Sequence, residues 1–344
     1  MTLPSLEDAD LKDKQVFLRG DIDVPLVVRD NGKVQIADAT RLEAIQPTID
    51  YLLQQNCTII LAGHLGRPEG KVIPELSARP VAEWFADGVI AKPKLSTATL
   101  SNNLPGFLVN EKFIVLENLR FDPGEESNDE KFAKTLASVA DVYINDAFAD
   151  DERPHASIIG VPKILPHYAG FRLLKEVDVM NTIIEIPRRP LVVIIGGAKL
   201  ETKLPLITKM AEWADRVVVG GELLREVKDR LPKALYLELA EGKRDTTLES
   251  VDQTQVIISY AATIVWNGPI GYIEDPTFQV GTRRLAELIA ANQKAFKVVG
   301  GGDTVGFLSR LGLTDKFDWV SIGGGAMLKF LSGEELPAIK ALQQ

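Results

Sequence analysis

Sulfur and imidazole are scarce in this chain: Cys57 is its only cysteine, and His64, His155 and His167 are its only histidines among 344 residues. A lone thiol excludes an internal disulfide, and so few imidazoles and thiols argue against a zinc site. Cys57 lies in the apolar run Cys57–Ala62 and reads as a buried, inert thiol. An excess of basic charge is missing too. The formal net charge is −9, which argues against nucleic acid as a partner. No apolar run approaches the length of a membrane span, and Met1–Lys14 is acidic and polar, without the core of a signal peptide. These absences predict a cytoplasmic protein with no membrane partner. Two nucleotide fingerprints are also absent. The spacing GxxxxGK[ST] does not occur, and GxGxxG fails because Val305 stands where Gly300 and Gly302 would need a third glycine. A nicotinamide dehydrogenase is therefore a poor reading.

What the chain does have is repeated strand-to-glycine turns. Val192–Ile195 runs into Gly196-Gly197, Val217–Val219 into Gly220-Gly221, and Thr263–Trp266 into Asn267-Gly268-Pro269. Lys297–Val299 runs into Gly300-Gly301-Gly302, and Trp319–Ile322 into Gly323-Gly324-Gly325. Such turns lie at the carboxyl edge of a parallel sheet, where glycine lets backbone N–H groups approach an anion and a following helix adds its positive end. In the first half, strands are predicted near Gln15–Leu18, Cys57–Ala62, Phe113–Leu116 and Val142–Asn145, with helices at Thr40–Gln54, Ala78–Ala86 and Asp129–Ala140. Pro47 should kink or shorten the first helix. Tyr168–Ile186 reads as one long helix, and Pro187–Pro190 as a joint between two α/β halves.

Lys199 and Lys203, four apart behind Gly196-Gly197, share one face of a helix at its amino-terminal turn, where they either converge on one phosphate chain, the favoured reading, or form an ordinary solvated face. Asp303 is either a plain N-cap or a carboxylate for Mg²⁺. Asn267 is a candidate donor to phosphate, and Glu274 a candidate acceptor from ribose hydroxyls. In the first half, Arg19, Arg41, Arg67, Arg120 and Arg153, with His64 and His155, stand at strand ends, loops or a helix start. Together these multi-donor groups suit phosphate and carboxylate. Asp21 and Asp23 share a face if their strand continues; they either contact substrate hydroxyls or satisfy turn N–H groups.

These segments, in this order, closely resemble phosphoglycerate kinases. The matching pieces are Arg19–Pro25, Asp38–Arg41, His64–Pro68, Glu117–Phe121, Asn145–Phe148, Arg153–Ser157, Gly196–Lys203, Trp266–Gly271, Gly300–Thr304 and Gly323–Ala326. The resemblance implies two Rossmann-like three-layer α/β/α domains with parallel sheets joined by a hinge helix. The implied divisions are an acid-substrate domain at 1–167, a hinge at 168–186, a nucleotide domain at 187–331, and a tail at 332–344 that returns to the first domain. It implies reversible, Mg²⁺-dependent phosphoryl transfer between 3-phosphoglycerate and ATP in a monomer. By motif position, Arg19, Asp21, Asp23, Arg41, His64, Arg67, Arg120, Arg153 and His155 fall on the acid side. Lys199, Lys203, Asn267, Glu274, Asp303 and Thr304 fall on the nucleotide side, with Gly196, Gly197, Gly220, Gly221, Gly300, Gly301, Gly302, Gly323 and Gly324. Arg41 and Lys203 are the candidates for stabilising the moving phosphoryl group.

The chain also departs from the family pattern. Asp23 replaces asparagine, Ala149–Glu152 replaces Gly-Thr-Ala-His, Glu222-Leu223-Leu224 replaces Gly-Met-Ala, and Ile322 replaces threonine. The segment Lys228–Ala262 is short and is expected to lack a strand. These departures keep two alternatives in view: a paralogue kinase for another acid or nucleotide, and a non-catalytic ligand-binding relative.

Overall fold

Runs of β-branched and aliphatic residues form strands that are buried on both faces, as a parallel sheet under helices requires. The computed structural model describes residues 2–344 except 31, 89–94, 198–199, 225–233 and 243; for 200–202 and 223 it describes the backbone alone. The chain divides into two units, Met1–Val177 with Leu336–Gln344, and Asp178–Glu335. The division falls within the helix Phe171–Glu185.

The first unit contains β1 (Gln15–Gly20), β2 (Leu26–Val28), β3 (Val34–Ile36), β4 (Thr58–Ala62), β5 (Ser96–Thr99), β6 (Pro105–Asn110), β7 (Phe113–Leu116), β8 (Val142–Asp146) and β9 (His167–Ala169). Its main sheet has the order β5-β6-β7-β4-β1-β8-β9. From β7 to β9 every pairing is parallel, but β5 and β6 pair antiparallel at one edge. The expectation of a wholly parallel sheet is corrected there: a short turn joins β6 to β7, and only antiparallel neighbours can be joined so tightly. β2 and β3 make a separate antiparallel pair. Val16 and Leu18 of β1, Ile45 and Ile49 of the helix Thr40–Gln54, Phe85 and Phe113 share one core. That helix runs from Thr40 to Gln54 with Pro47 inside it, so the proline does not shorten it. The segment predicted as a helix from Tyr168 begins instead with β9, and its helix starts at Phe171.

The second unit contains β10 (Leu191–Ile195), β11 (Arg216–Val219), β12 (Ala234–Tyr236), β13 (Thr263–Asn267), β14 (Phe296–Gly300) and β15 (Trp319–Ser321). The order is β12-β11-β10-β13-β14-β15, and all pairings are parallel. Counted from β10, this is the doubly wound order 3-2-1-4-5-6, which reverses direction between β10 and β13 and opens a crevice at their carboxyl ends. β12 lies in the segment expected to have lost a strand. It is three residues long and only half-buried, a short edge strand.

Candidate functional site

In the second unit the crevice is built from glycines, several of which leave no room for a side chain. A Cβ on Gly196 would lie 2.2 Å from the Pro269 carbonyl oxygen, and one on Gly268 would lie 2.3 Å from that of Gly196. Gly197 and Gly268 also hold φ of 97° and 89°, in the left-handed region that favours glycine. The two turns therefore touch backbone to backbone, and the Gly197 N–H donates to the Pro269 carbonyl at 2.8 Å. Lys203, on the helix Leu200–Trp213, reaches over this junction; its Nζ donates to the Gly196 carbonyl at 2.8 Å and lies 3.4 Å from Asn267 Oδ1. Lys199, its predicted companion, lies outside the described residues.

The remaining glycine turns complete the rim. Gly301 caps the helix Gly302–Arg310 with φ 100°, so Asp303 sits in its first turn and is not its N-cap. The Asp303 side chain is exposed and makes no hydrogen bond among the described residues. Thr304 is buried, and its hydroxyl accepts from the Gly268 N–H at 3.1 Å, which makes it a brace for the turn. Asn267 is buried likewise and donates through Nδ2 to the Gly324 carbonyl at 3.1 Å. Gly323 caps the helix Gly324–Leu331, and a Cβ on Gly324 would lie 2.4 Å from Gly301 Cα. A Cβ on Gly300 would meet Met327, and one on Gly220 would meet Ile270. A cavity of about 440 Å³ opens on these turns, lined by Gly197, Gly221, Glu222, Arg244, Glu274 and Asp303 among others. Sequence reasoning missed Arg244, whose guanidinium lies 5.9 Å from the Tyr272 ring centroid and 5.5 Å from that of Phe278. Nothing around it in sequence marks it out.

In the first unit, the order again reverses direction beside β1, between β1 and β8, and the predicted arginines gather there. Register explains this: Arg19 of β1 lies opposite Ala62 of β4 and Asn145 of β8, so the segments after all three strands leave from one edge. Arg19 is fully buried. It donates through Nε to Ser157 Oγ at 2.9 Å, through NH1 to the Gly20 carbonyl, and through NH2 to Asp150 Oδ2 at 2.9 Å. Arg153 NH1 donates to the other Asp150 oxygen at 2.9 Å. His64 lies between the two guanidiniums, with Nδ1 3.3 Å from Arg19 and Nε2 3.2 Å from Arg153. Burial, with Arg19 and Arg120 nearby, lowers its pKa to about 3. Burial and the same two arginines lower that of His155 to about 4. Both imidazoles are neutral hydrogen-bonding groups at neutral pH.

Arg41 stands at the amino-terminal turn of its helix, an unfavourable end for a cation. Asp21 compensates: Arg41 NH1 lies 2.7 Å from both of its oxygens. Asp38 orders the same turn by accepting the Thr40 N–H at 2.8 Å. β1 ends at Gly20, so Asp21 and Asp23 do not continue a strand; Asp23 accepts the Gly66 N–H at 2.8 Å and lies 3.7 Å from His64 Nε2. Arg120 donates to the Gly66 carbonyl at 2.8 Å and lies 3.1 Å from Glu126. Arg67 is exposed and has no partner among the described residues. Sequence reasoning missed Asp150, the shared counter-ion. Its place three residues before Arg153 was the available signal, because an acid and a base at that spacing meet on a turn. A larger cavity of about 770 Å³ in this unit contains none of these arginines, so size is no guide to the chemistry here.

Asp151, next to the counter-ion, carries a pH dependence. It is fully buried, accepts from Asn145 Nδ2 at 2.8 Å through Oδ1, and has no partner for Oδ2. Burial raises its pKa to about 8. The native state thus keeps a proton that the unfolded chain releases above about pH 4, so this residue's contribution is lost as pH rises from about 4 to 8. Asp151→Asn keeps the shape and removes the ionisation. We expect it to gain on the order of 1–3 kcal/mol over the parent at pH 8 and almost nothing at pH 4. Urea denaturation at the two pH values checks this; a gain equal at both would overturn it.

A glycine crevice with a lysine at the strand reversal of one unit, and a buried arginine cluster at that of the other, define an α/β phosphotransferase. A sequence model described as phosphoglycerate kinase matches residues 6–229 and 237–334. The chain is 36% identical over 396 positions to the phosphoglycerate kinase of Desulforudis audaxviator (strain MP104C), covering 100% of both chains. It is 36% identical to that of Dictyoglomus turgidum (strain DSM 6724 / Z-1310), covering 99% of this chain and 98% of the relative. Among solved structures it matches the phosphoglycerate kinase of Coxiella burnetii (TM-score 0.78, 30% identity, 100% and 99% of the two chains). It also matches that of Pyrococcus horikoshii OT3 (TM-score 0.82, 26% identity, 99% and 98%). The chain belongs to the phosphoglycerate kinase family. The first alignment runs over 396 positions against 344 residues here, so that relative carries stretches with no counterpart in this chain.

Proposed function

We infer that the protein transfers a phosphoryl group reversibly between 1,3-bisphosphoglycerate with ADP and 3-phosphoglycerate with ATP. The observation that carries this reading is the ammonium of Lys203 over the Gly196–Gly268 junction, where a phosphate chain lying along the crevice would meet it. The acceptor is a carboxylate, ionised at neutral pH because its pKa is roughly 4, so no general base is needed. The low pKa values of His64 and His155 fit that requirement, since neither imidazole is basic enough to serve as one. Catalysis then rests on in-line positioning and on neutralising charge on the moving group. Arg41 and Lys203 take the second role. Arg67, Arg120, Arg153, His64 and His155 take the acid, while the turns at Gly196, Gly220, Gly300 and Gly323 take the nucleotide.

Magnesium fits Asp303, whose exposed carboxylate opens on the crevice with no hydrogen-bond partner among the described residues. No group of three or more His, Cys, Asp or Glu side chains among the described residues could hold a metal, and Mg²⁺ characteristically takes one or two carboxylates with phosphate oxygens and water. Bound there, it would neutralise phosphate charge. The reading further includes residues 168–186 as a hinge, domains at 1–167 and 187–331 with the tail 332–344 on the first, and a cytoplasmic monomer without nucleic-acid or membrane partners. No described helix is long and apolar enough to cross a membrane. A second reading, a paralogue with another nucleotide base, is favoured by Arg244 over Tyr272 in the nucleotide cavity.

A coupled assay with 3-phosphoglycerate and a panel of nucleoside triphosphates tests both. Turnover with ATP is expected. Absence of turnover, together with no thermal shift by either ligand, would overturn the main reading. Faster turnover with another base would select the second.

A further inference from the structure

Every buried or half-buried arginine at the acid site already has a carboxylate. Asp150 bridges Arg19 and Arg153, Asp21 takes Arg41, and Glu126 stands beside Arg120. Asp23 adds a fourth carboxylate, next to His64. The cluster that should attract an anion is therefore close to internally neutral. Asp150 is its hub: both of its oxygens are engaged, it is only 2% exposed, and its Oδ2 also lies 3.5 Å from His64 Nδ1. Burial alone would favour the neutral acid, but the Arg19 and Arg153 guanidiniums hold this carboxyl well below the usual range, so it is ionised throughout the physiological interval.

We propose that Asp150 is a positioning residue for the acceptor acid: a permanent internal anion that occupies Arg19 and Arg153 and so competes with the acid for their charge. This rests on the acid-binding reading of the arginine face. The physical consequence is a difference of affinities. An incoming phosphate or carboxylate meets the exposed Arg67 and the outer parts of Arg41 and Arg153, which are each about one-quarter exposed. To engage Arg153 fully it must share that guanidinium with Asp150, and the like charge of Asp150 opposes its approach. The acid is thus held by contact geometry more than by field, and its affinity responds little to salt.

Asp150→Asn keeps the shape and an acceptor oxygen while removing the charge. It is expected to lower the dissociation constant for 3-phosphoglycerate about three- to tenfold. It should also steepen the salt dependence of that constant, because an unmatched positive charge now faces solvent. A purely structural role for Asp150 would weaken binding and leave the salt dependence alone. Titration calorimetry of the full-length protein and the variant at two salt concentrations reads both quantities, and Asp150→Ser is the second variant. Tighter, more salt-sensitive binding in either variant supports the proposal; binding that is equal or weaker with an unchanged salt dependence overturns it. Should neither variant fold, the parent decides alone. Its 3-phosphoglycerate affinity should change less than about threefold between roughly 50 and 500 mM salt, and a steeper change overturns the proposal. Thermal shift with inorganic phosphate separates this from the function. If the parent turns over no 3-phosphoglycerate, the acceptor reading fails, while a larger phosphate shift in Asp150→Asn still supports the role of Asp150 and an unchanged shift overturns it.

Discussion

Lys203→Ala is expected to lower kcat by a factor on the order of 10²–10³ while the nucleotide dissociation constant changes less than about tenfold. The split follows from where the charge is needed. On the proposed reading, the helix ends around the crevice hold the phosphates in ground state and transition state alike. The Nζ of Lys203 lies above the meeting point of the β10 and β13 turns, held by the Gly196 carbonyl at 2.8 Å. A cation fixed there stabilises charge that develops on the transferring group and needs no reorganisation at the moment of reaction. Removing it leaves the Gly196 carbonyl to water, a small loss on a half-buried rim. Steady-state turnover and equilibrium titration of the nucleotide, done side by side, check the split. A kcat within about threefold of the parent would remove Lys203 from the chemistry.

The core strands were legible because parallel strands buried on both faces must be written as apolar runs. Every residue of β8, β10 and β13 is buried, and their positions followed from sequence within a residue or so. The helix Thr40–Gln54 was legible from its period, which survives Pro47. The elements that escaped have no such signature. β5 is mostly exposed, β2 and β3 have no buried residue, and β9 is three residues long with histidine at its start. β2 and β3 pair only with each other and β5 lies at the sheet's edge beside β6, so neither position demands an apolar run.

The same division runs through the candidate sites. The glycine turns could be read directly, because a residue without Cβ announces close approach, as the Gly196–Gly268 junction requires. The arginines could be named as a set from their types and positions. What could not be read is which acid each one meets. Three acids beside Arg153 were visible in sequence, but nothing local says that Arg19, 131 residues away, lands on Asp150. Asp303 shows the opposite case: its type fitted both a cap and a ligand, and only the conformation of Gly301 removes the capping role.

Arg19→Met is expected to destabilise the protein by about 3–5 kcal/mol, because it leaves a buried charge without its main partner. Arg19 is fully buried, and each of its guanidinium nitrogens is already engaged, by Ser157, by the Gly20 carbonyl, and by Asp150 with His64. Four of its five N–H donors are so occupied and the side chain is fully buried, so its first role is to hold the segment from Asp150 to Ser157 against the end of β1. After truncation, Asp150 keeps only Arg153, which is itself partly exposed, and Glu125 loses the positive charge that offsets its burial. The matching control is Arg19→Met with Asp150→Leu, which removes both charges. Replacing a whole buried ion pair by apolar groups costs far less than breaking it, so the double variant should recover at least about half of the loss. Urea denaturation of the two variants beside the parent gives the answer. A single variant that loses less than about 1 kcal/mol would show that Arg19 is spare at this site. A double variant as unstable as the single one would locate the cost in lost packing and hydrogen bonds instead of in the stranded carboxylate.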